Sequence, residues 1–191
     1  MSKNETPTKV IVPCRFSYLH CWEPEAINGG EPKYSVILSF DQEDEALYKK
    51  IQDAISECVE KAKTSMYAGK LPKNFKIVEI KDGDEDYEKD GFAGQYTIKA
   101  SSAYKPEVVK KSTVMGKTQL VPITDEDEFY SGCYGYASVS FFAYDNGVSK
   151  GVTCGLNSVL KSRDGERFGG GGSAATDFAD ILDDIDDADV F

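Results

Sequence analysis

Residues 133–144 read CYGYASVSFFAY, the longest run of this sequence in which side chains alternate as they do along a β-strand. One face of this strand carries small and apolar side chains, namely Ala137, Val139, Phe141 and Ala143. The opposite face carries Tyr134, Tyr136, Ser138, Ser140, Phe142 and Tyr144. Asp145-Asn146-Gly147 follows as a hairpin turn signal, so a return strand is expected over residues 148–161.

Shorter alternating runs predict further strands on the N-terminal side of this hairpin. The clearest cover residues 10–19, 34–40 and 95–101, and Tyr18 is expected on the same face as Phe16. Residues 20–33 are expected to form a loop, and shorter extended pieces are expected at 75–80, 108–109 and 119–123. Residues 42–68 carry apolar side chains at helical spacing. A mainly β domain with one long helix follows, folded as a small barrel or sandwich.

Length and composition restrict the class of protein. The 191 residues suit one domain, or one domain with a tail. No apolar run approaches the ~18 residues that a membrane-spanning helix needs, and the N-terminus lacks the apolar centre of a signal peptide. We therefore expect neither an integral membrane protein nor a secreted one. The five cysteines are odd in number and scattered, as is typical of reduced thiols in a cytosolic protein.

The net charge of -11 is unevenly distributed. Residues 82–90, 125–128 and 176–191 hold 17 of the 33 acids and one of the 22 bases, which leaves 16 acids and 21 bases elsewhere. The acidic segments aside, the chain is therefore basic and can attract a polyanion.

The C-terminal end differs from the rest of the chain. Residues 1–168 form the expected folded domain, 169–175 a Gly-rich flexible linker, and 176–191 a disordered acidic tail. Within the tail, Phe178, Ile181, Leu182 and Ile185 would share one face of a short helix. Such a helix could order against a basic groove, and Phe191 adds an aromatic ring beside the terminal carboxylate.

Residue patterns typical of catalysis are sparse. His20 is the single histidine, and Cys14, His20 and Cys21 lack the paired spacing of a zinc site. Residues 82–86 begin like a calcium loop, but the pattern fails at the positions of its turn glycine and its final glutamate. Glu79 and Lys81 could serve a Mg²⁺-dependent nuclease, although no well-placed second carboxylate precedes them. We expect no catalytic site, no cofactor and no metal, and hence a protein that is not an enzyme.

Aromatic residues interleaved with bases give the strongest functional signal. Single-stranded nucleic acid binds to rings on which its bases stack and to cations that follow its phosphates. The residues expected to bind single-stranded DNA in this way are Arg15, Tyr18, Tyr96, Lys99, Tyr104, Lys105, Tyr134, Tyr136, Phe142, Lys150, Lys161 and Arg163.

Several motifs also resemble a phage protein family described as a domain of unknown function, whose members are similar to the single-stranded DNA-binding proteins of T-odd phages. The matching motifs are GCYGYASV (132–139), AYD (143–145), KGV (150–152), GLNSV (155–159) and RDGE (163–166), with FSYL (16–19), DGD (82–84) and GQYTIKA (94–100) earlier in the chain. The resemblance implies an OB-fold with the helix packed beside or under the barrel. It also implies that the tail competes with DNA for the binding cleft and contacts the replicative DNA polymerase and the helicase/primase.

The leading hypothesis is therefore a sequence-independent single-stranded DNA-binding protein of phage DNA replication, recombination and repair. We expect it in the cytoplasm of the infected bacterial host, and a homodimer is left open. The tail residues expected to bind partners are Phe178, Asp183, Asp184, Asp186, Asp187, Asp189 and Phe191. One alternative is an acidic DNA mimic that inhibits a host DNA-binding enzyme, and a weaker one is the metal-dependent nuclease.

Overall fold

The computed structural model describes residues 8–26, 29–86 and 88–169. The elements in chain order are β1 Lys9–Glu25, β2 Lys33–Asp41, α1 Glu45–Ser65, β3 Phe75–Ile77, β4 Lys81–Asp82, β5 Gln95–Ser102, β6 Glu107–Val114, β7 Lys117–Pro122, β8 Tyr134–Asp145 and β9 Lys150–Arg163. A short 3-10 helix, Gly83–Asp86, follows β4. The expected tail and all of the linker except Gly169 lie outside the described residues.

Five of the strands close into a barrel. Antiparallel pairing joins β5 to β2, β2 to β1, β1 to β8 and β8 to β9. The barrel closes where β5 meets β9 in parallel, at Ser101 and Gly155. A closed five-stranded barrel of this kind is consistent with an OB-fold. The mainly β architecture expected from the sequence is thus confirmed. Of the two folds left open, the barrel and the sandwich, the structure has the barrel.

The barrel interior is filled by the apolar face of each strand. Val12, Phe16, Leu38 and Val139 are fully buried there. Helix α1 packs on β1, β8 and β9 with the side chains of Leu47, Ile51, Ala54, Ile55, Cys58 and Ala62 buried. Its N-terminus is capped by Asp44, whose carboxylate accepts a hydrogen bond of 3.0 Å from the backbone N–H of Leu47. None of the helices among the described residues is both long and apolar enough to cross a membrane.

Strand β1 runs further than the sequence indicates, and it is irregular. It continues to Glu25 instead of giving way to a loop after residue 19, and its pairing with β2 shifts between Ser17 and His20. Tyr18 adopts a positive φ of 46° at this bulge. The irregularity interrupts the alternation, so Ser17 is buried and Tyr18 is half exposed. The expectation that Tyr18 lies on the same face of the strand as Phe16 is therefore wrong.

Strands β6 and β7 form a complete hairpin where the sequence indicated only short extended pieces. The two strands pair from Val109 with Pro122 to Val114 with Lys117. Their turn, Met115-Gly116, has φ angles of 50° and 74°. Two positive φ angles are typical of the turns that join tight hairpins. Methionine is a rare residue at such a position, which is why the turn is not recognisable from the sequence.

Candidate nucleic-acid interface

Strand β8 presents the predicted face to the outside of the barrel. Ala137, Val139 and Phe141 are buried in the core, while Tyr136 and Phe142 are 43% and 49% exposed. We call the outward side chains Tyr134, Tyr136, Ser138, Ser140 and Phe142 the β8 face. The ring of Phe142 lies over Gly155 of β9, where any added Cβ would come within 2.6 Å of the ring. The two exposed rings are therefore held on a rigid, paired strand.

Two arginines flank Tyr134 on the neighbouring strands. The register places Arg15 of β1 and Arg163 of β9 opposite Tyr134. The guanidinium carbon of Arg163 lies 3.6 Å from the centre of the Tyr134 ring, and that of Arg15 lies 4.8 Å from it. Both distances are within the range of cation–π attraction. Three residues that are far apart in the sequence thus form one cluster of ring and positive charge.

A groove of about 470 Å³ opens beside this cluster. Strands β1 and β8 contribute Arg15, Tyr134 and Tyr136 to its walls. The remaining lining comes from β1, β2, β8, β9, the first residue of β5 and the segment before it. It comprises Pro13, Cys14, Ser39, Phe40, Asp41, Gly91, Ala93, Gln95, Gly135 and Ser162. The groove therefore combines aromatic rings and the guanidinium of Arg15 with small residues that leave room for a ligand.

Ser39 lines the groove although the sequence does not predict it as a binding residue. Its side chain is 2% exposed, and no described group lies within hydrogen-bonding distance of its hydroxyl. A buried hydroxyl without a partner is costly, and it can donate to or accept from a ligand that enters. No sequence signal distinguishes Ser39 from the other polar residues that alternate along β2.

Arg15 also has a structural role. Its Nε donates a 3.0 Å hydrogen bond to the carbonyl of Gly132, and its terminal nitrogen donates a 3.1 Å bond to the carbonyl of Glu166. The Phe168 ring lies 4.0 Å from the same guanidinium. By contrast, Arg163 is exposed, and no carboxylate or carbonyl among the described residues binds it. Arg163 is thus the cation with more freedom to meet a phosphate.

The segment after β9 folds back beside the groove. Phe168 donates its backbone N–H to the carbonyl of Ser131 at 2.9 Å, and the Tyr130 hydroxyl donates to the carbonyl of Gly165 at 3.0 Å. Gly132 has a φ of 115°, and a Cβ there would lie 1.9 Å from the carbonyl oxygen of Glu166. Only glycine therefore permits this approach. The described residues end at Gly169, which with Phe168 lines a separate, smaller pocket beside Tyr18 and Ser131.

Lys161, Lys150 and Tyr96 lie apart from the cluster. Lys161 is nearly buried and donates to the carbonyl of Glu128 and, at 2.7 Å, to the carboxylate of Asp164. That bond and the charge of Lys161 lower the pKa of Asp164. Lys150 pairs with Asp145 at 3.4 Å, next to the far hairpin turn. Tyr96 packs between two other rings, those of Phe40 and, from α1, Tyr48.

The other predicted residues form separate patches. Tyr18 packs against Phe92, with ring centres 6.1 Å apart. Lys99 lines a small pocket on the outer surface of β2 and β5. Tyr104 is largely exposed, and the ammonium of the adjacent Lys105 lies 5.4 Å from the centre of a ring of Trp22. The structure thus brings together Arg15, Tyr134, Tyr136 and Arg163, with Phe142 further along the same face.

The acidic loop after β4 uses its carboxylates for its own hydrogen bonds. Asp84 accepts from the backbone N–H of Gly94 at 2.7 Å, and Asp82 accepts from the side chain of Gln42 at 2.8 Å. Across the part of the chain that the structure describes, no group of three or more metal-binding side chains is arranged to hold an ion.

Comparisons with known proteins find similar phage proteins. The chain is 40% identical over 104 residues to "Putative protein p50" of Acyrthosiphon pisum secondary endosymbiont phage 1, and the match spans 54% of this chain and only about half (52%) of that curated relative. Among solved structures, the single-stranded DNA-binding protein of bacteriophage Enc34 in complex with ssDNA matches with a TM-score of 0.63 and 29% identity, over 85% of this chain and 90% of that one.

A protein of lower sequence identity has a similar fold. Bacteriophage T7 gp2.5, a single-stranded DNA-binding protein, matches with a TM-score of 0.53 over 91% of this chain and 99% of that one, at 16% identity. At this identity the likeness concerns the fold alone. The family model described as "Enterobacter phage Enc34, ssDNA-binding protein" matches residues 8–191. The chain therefore belongs to the family of the Enc34 phage ssDNA-binding protein.

Proposed function

We propose that this protein binds single-stranded DNA without regard to sequence, in phage DNA replication, recombination and repair. The observation that carries the proposal is the cluster of Arg15, Tyr134, Tyr136 and Arg163 beside an open groove on the barrel. Membership of a phage ssDNA-binding family supports the same conclusion.

The β8 face suits an unpaired strand better than a duplex. Bases that are not stacked on their neighbours can stack on Tyr136 and, further along, on Phe142, at about 1–3 kcal/mol per base. Arg163 and Arg15 meet the phosphates, and their contacts release counterions. Because every base has a flat face, such binding does not depend on hydrogen bonds that distinguish one base from another. Preferential binding to unpaired DNA removes hairpins by mass action.

The length of the β8 face sets the scale of the bound strand. From Tyr134 to Phe142 the strand spans about 27 Å at ~3.4 Å per residue. Between the rings lie Ser138 and Ser140, and Asn157 of β9 donates a hydrogen bond of 2.9 Å to the Ser140 hydroxyl. These polar groups can bind the sugar-phosphate backbone where no ring is present.

We further propose that the acidic tail occupies this groove when DNA is absent. The tail is expected to follow a linker of seven residues, 169–175, and a flexible chain of that length would have a typical reach of about 15 Å. The anchored Phe168 is already in contact with Arg15. Once DNA displaces it, the tail would be available to the replicative DNA polymerase and the helicase/primase, through Phe178, the Asp residues and Phe191. This activity belongs in the cytoplasm of the infected bacterium, where those enzymes act.

Deletion of residues 173–191 tests the tail. Truncation should tighten binding of an unpaired oligonucleotide at low salt and abolish capture of the polymerase. Phe191→Ala keeps the side-chain charges of the tail and serves as the control for electrostatic competition. An affinity that truncation leaves unchanged at low salt contradicts the competition.

A labelled single-stranded oligonucleotide, incubated with and without Mg²⁺, separates the proposed function from the alternatives. The proposal predicts a stable complex and an oligonucleotide of unchanged length in both conditions. A DNA mimic would leave the oligonucleotide unbound, and a nuclease would shorten it only when Mg²⁺ is present.

A further inference from the structure

The β6–β7 hairpin extends beyond the barrel as a two-stranded ribbon. Strand β6 pairs with β9 only as far as Lys110, opposite Lys161. Beyond that point, β6 and β7 pair with each other alone among the described residues. We call residues 111–120 the ribbon. At ~3.4 Å per residue, it reaches about 14 Å past the sheet.

The ribbon is basic and exposed. Residues 108–124 contain three lysines and no acid. Lys110 pairs with Glu128, whereas Lys111 and Lys117 are exposed and have no carboxylate partner among the described residues. Leu120, opposite Lys111, is 61% exposed, and Met115 at the tip is 99% exposed. This surface offers a polyanion both cations and apolar contact.

The outer surface of the β8 face continues onto the ribbon. The register pairs Tyr136 of β8 with Leu160 of β9, and Leu160 with Val109 of β6. Paired residues share a face of a sheet, so Val109 lies on the same face as Tyr136. The next residue of β6 on that face is Lys111. The flanking Val108 is buried against the core, which confirms that the alternation holds here.

From this continuity we propose that the ribbon is a second contact surface for the phosphate backbone of the bound single strand, through Lys111. Lys117 pairs with Val114, so it lies on the opposite face of the ribbon. The inference rests on the proposed function and extends its binding site. A strand that stacks on Tyr136 can cross β9 and reach Lys111 without leaving the surface. Lys117 on the exposed edge strand β7 also disfavours edge pairing with a second copy of the chain.

Oligonucleotides of two lengths test the ribbon. The variant Lys111→Ala should bind a strand of about 20 nucleotides roughly fivefold more weakly, because one phosphate contact is lost. Its affinity for a strand of about 6 nucleotides, which the groove alone can hold, should change less than about twofold. The slope of log affinity against log salt should fall by about 0.7 for the long strand.

The matched control is Lys73→Ala, which removes the same charge between α1 and β3. Strand β3 pairs with β9 at Lys150–Val152, far from Ser158–Lys161 where β6 pairs. The control should keep both the affinity and the salt slope for the long strand. Equal behaviour of Lys111→Ala and Lys73→Ala overturns the inference.

Two other results separate this inference from the proposed function. If the wild type binds neither oligonucleotide, the proposed function fails first. If the wild type binds both and the ribbon variant keeps the full salt slope but changes self-association in sedimentation, the ribbon is a contact between copies and the inference is wrong.

Discussion

The guanidinium of Arg163 stacks 3.6 Å from the centre of the Tyr134 ring, across two strands whose register places the residues opposite each other. The positive group and the ring are therefore assembled before any ligand arrives. Preorganisation of this kind lowers the entropic cost of binding. Lys161 differs from Arg163 because its charge is paired with the carboxylate of Asp164. This ion pair stabilises the fold and leaves Lys161 unavailable to a phosphate.

Tyr136 is the ring most open to a base in the groove. Tyr136→Ala should weaken binding of unpaired DNA by about 1–3 kcal/mol, or roughly 5- to 150-fold, because one stacking contact is lost. Tyr136→Phe keeps the ring and should bind nearly as well as the wild type. Fluorescence titration at one salt concentration measures all three proteins. Equal losses in the Ala and Phe variants would assign the effect to the hydroxyl and not to stacking.

Arg163 should contribute charge to binding without contributing much to stability. Arg163→Ala should reduce the slope of log affinity against log salt by about 0.7, the value for one lost phosphate contact on a single strand. Arg163→Lys should restore the slope because the charge is kept. Titrations over a range of salt measure this. An unchanged slope in Arg163→Ala would remove Arg163 from the interface.

Gly132 controls how the segment after β9 returns to the barrel. In Gly132→Ala the new Cβ would meet the carbonyl oxygen of Glu166 at 1.9 Å, at a φ of 115°. Strain and collision together should lower the free energy of unfolding by at least about 2 kcal/mol. Gly116→Ala has a positive φ but open space around it, so it should cost only about 1 kcal/mol. Chemical denaturation compares the two, and equal losses would show that the close approach is unimportant.

Asp164 should make stability depend on acid pH. Its pKa lies below the ordinary 3.8 because Lys161 and then Tyr130 donate to it. A carboxyl whose pKa is lower in the folded state stabilises the fold above its unfolded pKa, and this stabilisation is lost as pH falls through the folded value. Asp164→Asn should therefore melt below the wild type near neutral pH, and the difference in Tm should vanish well below pH 3.8. A difference that is the same at every pH would contradict the ion pair.

Alternation along the strands made much of the fold predictable. The faces of β8 and the helical stripe of α1 follow directly from the spacing of apolar residues. The position of Tyr18 is not predictable in this way, because a bulge with a positive φ interrupts the alternation. No residue in this part of the sequence indicates the bulge. The β6–β7 hairpin was missed because its turn is Met115-Gly116.

The candidate site was only partly predictable, because it depends on which strands become neighbours. Tyr134 and Tyr136 follow from the period of one strand, but the contact of Arg15 and Arg163 with Tyr134 depends on two separate registers. Tyr96 satisfied the same sequence criterion, yet it packs against Tyr48 of α1. Local pattern cannot distinguish a ring under the helix from a ring in the groove.

The most direct test compares single- and double-stranded oligonucleotides of one sequence, titrated with the wild type and with the double variant Tyr136→Ala/Arg163→Ala. We expect the wild type to prefer the single strand at least about tenfold, and the folded double variant to lose that preference together with most of its affinity. A folded double variant that binds the single strand as tightly as the wild type would contradict the groove as the DNA-binding site.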